Sequence, residues 1–280
     1  MSEIQKKIIE KFKKVRRSAV GGHLRPHKPL LMLVALGMIA SGNTSRLNSF
    51  SEIKPKLQNL LDKFGRPGEM HDPRNPFEHL KSDGVWEVSD GDKGGFADWV
   101  YEEFQKDPSF IFKAAEAVLS ETFPNSLHEI VLADAGIRLG ILGYTPSLAW
   151  QSGQDANFVG RVMAAYAHKC AVCSYDTSLD GNLFGLDVAH IQWSLCDGPD
   201  EVNNGLVLCK THRSALDFGA ISIDENFKIL VSKKLEGNPE IRHFLFDRFA
   251  NKPLMRPNNP EDLPDTKYLK WHHEWVFKGA

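Results

Sequence analysis

The sequence has no apolar stretch long enough to cross a bilayer. Its longest, "LLMLVALGMIA" at 30–40, has eleven residues, whereas a spanning helix needs about 20; a buried helix is expected there, and no membrane partner. A signal-like opening is missing too: the first residues are polar and lysine-rich with no apolar segment behind them, so the expected location is cytoplasmic. Cysteine is scarce. The four residues at 170, 173, 196 and 209 are too few for a disulfide framework, and three of them stand in close spacing with another Cys or a His, which points to metal chemistry in a reducing compartment. The net charge is only −2, so any nucleic-acid binding must come from local patches and not from a global positive field. Internal repeats and low-complexity tracts are also missing.

What is present suits one large or two modest domains: 42% hydrophobic and 25% charged residues, enough to bury a core without staples. The first thirty residues hold nine Lys or Arg against Glu3 and Glu10, an asymmetry that fits a polyanion partner as well as a solvated helix face. Ile4, Ile8, Ile9, Phe12 and Val15 recur on one face of a first helix. "GGHLRPHKP" breaks it, and Pro29 is expected as the first residue of the apolar helix that follows. A third helix is expected over "SEIKPKLQNLLDKF", a loop over 65–76, a small β element over "GVWEVSDGDKGGF" and helical periodicity over 97–137. From 138 to 156 the chain gains Gly, Pro and Ser, as a linker does, which divides it into a mainly α domain at 1–152 and a second domain at 153–280. The second reads as helix, Cys pair, strand ("FGLDVAHI"), polar loop, strand ("GLVLC") and helix, with an aromatic-rich C-terminal helix, "YLKWHHEWVFK", packing on it; His272 of that helix suits packing or the surface and could also approach the functional site. The fold class is α+β.

Cys170-x2-Cys173 and Cys209-x2-His212 are two close-spaced ligand pairs thirty-five residues apart. Together they supply four ligands for a tetrahedral Zn2+, and a site closed by four protein ligands is structural. In the first domain, "LRPHKPLL" puts Arg25, His27 and Lys28 at the entry of an apolar helix, where unpaired backbone N–H groups favour an anion.

Between the two ligand pairs lie "DVAHIQW" and "GPDEVNNGLVLC", which resemble the HNH (ββα-metal) endonucleases of the McrA-like type across about 168–224. That resemblance implies phosphodiester hydrolysis with His190 as general base, Asn204 fourteen residues later as an orienting amide, and a Mg2+- or Mn2+-type catalytic cation. The family's second histidine falls on Arg213, because His212 is taken by zinc. A guanidinium cannot ligate a metal. Three readings stay open: another ligand such as Asp217 or Asp187 holds the ion, Arg213 clamps the phosphate, or cleavage is lost. Asp217 itself reads equally well as a helix-surface carboxylate.

"RPHKPLL", "NPFEHL" and "DGVWEV" in turn look like the sulfur-binding domain of phosphorothioation-dependent restriction endonucleases, which is joined to an HNH domain in this order. The resemblance implies that Lys28 with His27 contacts the modified backbone and that Asn75, Pro76 and His79 form the sulfur pocket. Asn75 stands where that family has an aromatic residue and His79 where it has a small one. Pro76 and Phe77 offer an apolar wall, which costs a weakly hydrated sulfur less than an oxygen; Phe77 suits the core equally well. The implied partner is double-stranded DNA with a backbone phosphorothioate, read by a type IV restriction endonuclease. Recognition of a methylated base, or a non-cleaving reader with a degenerate HNH domain, are the alternatives, and both monomer and homodimer stay open.

Overall fold

In a computed structural model that describes residues 1–20, 23–89, 92–137 and 156–279, α1 (Glu3–Lys13) opens on a capping box. The Ser2 hydroxyl accepts from the Gln5 amide, and the Gln5 side chain accepts from the Ser2 amide. Gln5 also donates to Asp107, and this turns it inward. The buried face therefore runs Gln5, Ile8, Phe12 and Val15, while Ile4 is left 45% exposed, a correction to the stripe read from the isoleucines. Strands β1 (Ala19–Val20) and β2 (His23–Leu24) lead into α2 (His27–Ala40). It is apolar on every side and buried from Pro29 to Met38, as the central helix of a domain must be. Pro29 occupies its third position and not the first; no N–H of the first turn has an intrahelical acceptor, so proline removes nothing there. At Gly37 a Cβ would run into the Ala135 carbonyl oxygen.

Strand β3 (Asn48–Ser49) runs directly into α3 (Phe50–Phe64), and α4 (Arg74–His79) begins inside the expected 65–76 loop. The expected β element is the hairpin β4 (Trp86–Ser89) and β5 (Lys93–Phe96), to which β3 adds a third strand in the order β3-β5-β4. Helices α5 (Asp98–Lys106), α6 (Phe110–Ser120) and α7 (Asn125–Asp134) follow. Helix α2 packs on α3, α4 and α6, and α1 on α5 and α6.

Two units divide the chain, Met1–Trp150 and Gln151–Ala280. The linker expected over 138–156 and its boundary fall on 138–155, outside the described residues, as do 21–22 and 90–91. In the second unit, α8 (Ala156–Ala165) precedes a small hairpin of β6 (Ser178–Leu179) and β7 (Asn182–Leu183). Strand β8 (Leu186–His190) then pairs antiparallel with β9 (Gly205–Cys209), setting His190 opposite Gly205 and Asp187 opposite Leu208. Helix α9 (Lys210–Asp217) follows without a break, which completes a ββα unit. Both α8 and α9 pack on this pair, so Val188, Ala189 and Leu206 to Leu208 are buried in a continuous apolar run. Strands β10 (Ile221–Ile223) and β11 (Ile229–Val231), then α10 (Pro239–Leu245) and α11 (Thr266–Trp275), complete the unit. Helix α11 packs on β10. Its His272 is fully buried, bonded to the Ser222 hydroxyl at 2.8 Å and the Leu216 carbonyl at 3.0 Å. Among the described residues no helix is long and apolar enough to cross a membrane.

Candidate functional site

Cys170 and Cys173 sit on a tight turn in which the Cys170 carbonyl accepts from the Ser174 amide. Cys209 is the N-cap of α9, which places His212 one turn into the helix on the same side. The three sulfurs and a histidine nitrogen lie within 4.8 Å of one another. His212 Nδ1 is 3.1 Å from the Cys209 sulfur and 3.6 Å from that of Cys170, and the Cys173 and Cys209 sulfurs are 4.0 Å apart. Tetrahedral bonds of about 2.0–2.3 Å space ligand atoms in this way. The far nitrogen, Nε2, lies 2.8 Å from the Leu245 carbonyl. A carbonyl only accepts, so the proton is on Nε2 and Nδ1 turns its lone pair to the sulfurs, the usual support for a metal-binding imidazole. The donor set fits zinc.

At the end of β8, His190 Nε2 lies 2.7 Å from Asp200 Oδ1, and its ring stacks on Phe158 of α8 with centroids 4.5 Å apart. Burial pushes its pKa below the ordinary histidine value; Asp200 and Asp217 pull upward, and Arg213 pushes downward with burial. Neutral imidazole is therefore the form at pH 7. Asn204 is fully buried and does not hold the ring. Its Oδ1 accepts from the Gln192 amide, and its Nδ2 donates to the Gln192 and Pro199 carbonyls, closing the loop that joins β8 to β9.

Arg213 faces β8 from α9. It donates to the Val188 carbonyl at 2.6 Å and pairs with Asp187 at 2.9 Å and Asp217 at 3.4 Å. Asp187 also takes Lys210 at 2.8 Å. The Asp217 side chain is 2% exposed, which corrects its reading as a helix-surface carboxylate. Both acids considered as ion ligands converge on a guanidinium and leave no open set of oxygens. Among the described residues the Cys/His cluster is the one group of three or more His, Cys, Asp or Glu with ligand spacing.

In the first unit a cavity of about 420 Å³ is lined by Arg25, His27, Lys28, Asn75 and His79, with Arg16, Arg17, Ser18 and Ser82. Lys28 is held by the Asp83 carboxylate at 2.6 Å, and Asp83 also accepts from the Arg16 amide and guanidinium. Burial alone would raise the Asp83 pKa, but these donors outweigh it and hold the pKa below the usual carboxylate value. Arg25 pairs with Glu69. His71 Nε2 donates to the Arg66 carbonyl and His71 Nδ1 faces His27 Nε2 at 3.2 Å. His27 must then supply the proton between the rings, which leaves its Nδ1 a lone pair without a hydrogen-bond partner. Burial, then His71 and Arg25, lower the His27 pKa to about 4.

Residues 5–139 match the family model of the ScoMcrA-like DNA sulfur-binding domain, and residues 170–224 match an HNH endonuclease model. The chain joins a sulfur-binding domain to an HNH domain. Similar solved structures include the sulfur-binding domain of SprMcrA complexed with phosphorothioated DNA, at 18% identity and TM-score 0.39, over 48% of this chain and 94% of that one. The corresponding ScoMcrA complex gives 21% and 0.39, over 46% and 94%. A modification-dependent TagI restriction endonuclease gives 22% and 0.32 over 43% of this chain, and the match spans 37% of that longer chain. No curated protein matches.

Within the sulfur-binding domain, five positions taken from the sequence meet at one cavity and two do not. Phe77 is fully buried between Phe50 and Trp86, so it belongs to the core and is not a wall. Pro76 is buried and is not among the lining residues. Every residue of the lining is polar or charged. Sequence reasoning missed Asp83, although it stands in the quoted "DGVWEV", and also Glu69, His71 and Asp200. Asp200 had a signal: it is a carboxylate inside the loop that the HNH motif prescribes.

Proposed function

We propose that this chain is a modification-dependent restriction endonuclease that reads backbone phosphorothioate through the sulfur-binding domain and hydrolyses phosphodiesters nearby through the HNH domain. The observation that carries the reading is the cavity where Arg25, His27, Lys28, Asn75 and His79 converge, in a chain that also has a histidine at the end of the first HNH strand. Lys28 and Arg25 answer the charge of the phosphate, each already offset by a carboxylate. Asn75 and His79 border the sulfur, a larger and less hydrated atom whose transfer out of water costs less than that of oxygen.

In the HNH domain, His190 takes the proton of the attacking water, and Asn204 keeps the loop closed around it. Zinc on Cys170, Cys173, Cys209 and His212 ties the first turn to α9 and holds the ββα unit. Arg213 braces β8 against α9 through Asp187 and Asp217, which departs from the ion-ligand and phosphate-clamp readings alike. That same engagement favours a second reading, a reader of modified DNA that does not cut, because it consumes the carboxylates a divalent cation would use.

The experiment is one pair of duplexes identical except for a single phosphorothioate, with binding measured at physiological salt, followed by digestion of modified plasmid with Mg2+ or Mn2+. Equal affinity for the two duplexes defeats the proposal. Tight selective binding without cutting leaves the reader.

A further inference from the structure

We infer that Asp200 is a positioning residue for hydrolysis, holding the His190 ring in the tautomer that keeps the proton on Nε2 and makes Nδ1 the basic nitrogen of the ring. The inference rests on reading the HNH domain as a nuclease. A carboxylate only accepts, so the 2.7 Å contact from Asp200 Oδ1 to Nε2 places the hydrogen on Nε2.

The backbone that carries this carboxylate is held in place from two sides. Arg161 donates to the Asp200 carbonyl at 2.8 Å, and Asn204 donates to the carbonyl of the preceding Pro199 at 3.0 Å. Arg161 stands one turn after Phe158 on α8, and Phe158 fixes the plane of the imidazole by stacking at 14°. One helix thus sets both the ring and the loop that carries its partner. The HNH asparagine acquires a definite task here, since it anchors the residue next to Asp200 and makes no bond to the histidine.

The charged groups acting on the ring are Asp200 and Asp217, which favour the imidazolium, and Arg213, which opposes it together with burial. As water attacks, its proton passes to Nδ1 and its oxygen bonds to phosphorus. The bridging P–O bond breaks, and the leaving oxyanion takes a proton from solvent. The imidazolium formed on the way faces the Asp200 carboxylate, which stabilises it until it returns its proton to solvent.

The test uses the full chain with 15N-labelled histidine, the His190 signal being assigned by its loss in His190→Gln. At pH 8 the wild type should show the Nε2–H tautomer. Asp200→Asn should lose that preference and lower the His190 pKa by about one unit, the low end of the effect of a nearby opposite charge, while Asp200→Glu keeps both. In plasmid cleavage the acidic limb of the pH–rate profile should move down by the same shift, and the rate should fall about 100-fold, as for loss of an effective general base, with binding to modified duplex unchanged. An unmoved tautomer and pKa in Asp200→Asn, in a chain that cuts, overturns the positioning role and leaves the nuclease standing. A wild type that cuts nothing overturns the nuclease reading and, with it, the hydrolytic role.

Discussion

Replacing Arg213 by alanine should cost the HNH domain about 3–5 kcal/mol, the range for breaking a buried ion pair by removing one partner. The structure says where the cost falls. Asp187 is 31% exposed and keeps Lys210, so it retains both water and a cation. Asp217 is 2% exposed and loses its guanidinium, and the Val188 carbonyl loses its donor. The penalty therefore concentrates on one buried carboxylate and one buried carbonyl. Urea unfolding followed through the edge-to-face pair of Trp193 and Trp271 measures it. Asp217→Asn in the Arg213→Ala background should recover part of the loss. Arg213→His puts in its place a ring too short to span both acids, so it too should destabilise. A deficit below about 1 kcal/mol, the level of an exposed ion pair, would refute the bracing role and return Arg213 to the phosphate.

Purified protein should carry about one zinc per chain by metal analysis, and Cys170→Ser should raise hydrogen exchange across β8, β9 and α9 while the sulfur-binding domain keeps its protection. Lys28→Ala should weaken binding to modified and unmodified duplexes alike and lower the salt slope by about one, as expected for a single phosphate contact; an unaltered slope would place Lys28 away from the phosphate. His272 sits fully buried with its pKa lowered to about 4, through burial first. Its neutral form supports the fold above the unfolded value near 6.5, and that support is lost as pH falls from 6.5 towards 4, by up to about 3 kcal/mol for a shift of this size. Urea titrations of wild type and His272→Gln across that window check it: the variant should give the flatter curve.

The parts of this protein that were legible in its sequence are those set by local spacing. The two x2 ligand pairs meet because one is a turn and the other is a helix start, and both geometries are local. The strand–loop–strand–helix order of 186–217 follows from apolar runs and a polar loop. Arg25, His27 and Lys28 lie together because the entry of one helix holds them. What stayed hidden depends on partners far along the chain. Lys28 finds Asp83 55 residues away and His27 finds His71 44 residues away, and no periodicity encodes either meeting. Phe77 and Pro76 looked like pocket walls because apolar residues beside a site motif fit wall and core alike; packing against Phe50 and Trp86 decided for the core at Phe77, and Pro76 is buried away from the cavity lining.

Both candidate sites treat their cations the same way. Lys28 is paired with Asp83 at 2.6 Å, Arg25 is paired with Glu69, and Arg213 lies between two aspartates. Each positive charge points its N–H donors in a fixed direction while its long-range field is largely cancelled. Phosphate attraction through uncompensated cations acts on every duplex and scales with the number of charges neutralised; donors held by carboxylates give up that general attraction and keep the local contact. The net charge of −2 is consistent with this arrangement. Asp83→Asn separates the two effects, since it keeps a hydrogen-bond acceptor for Lys28 and Arg16 but removes the negative charge. Binding to unmodified duplex should tighten several-fold, with a salt slope steeper by about one. Weaker binding to both duplexes would mean instead that Asp83 serves only to place Lys28, and the compensation argument would fail.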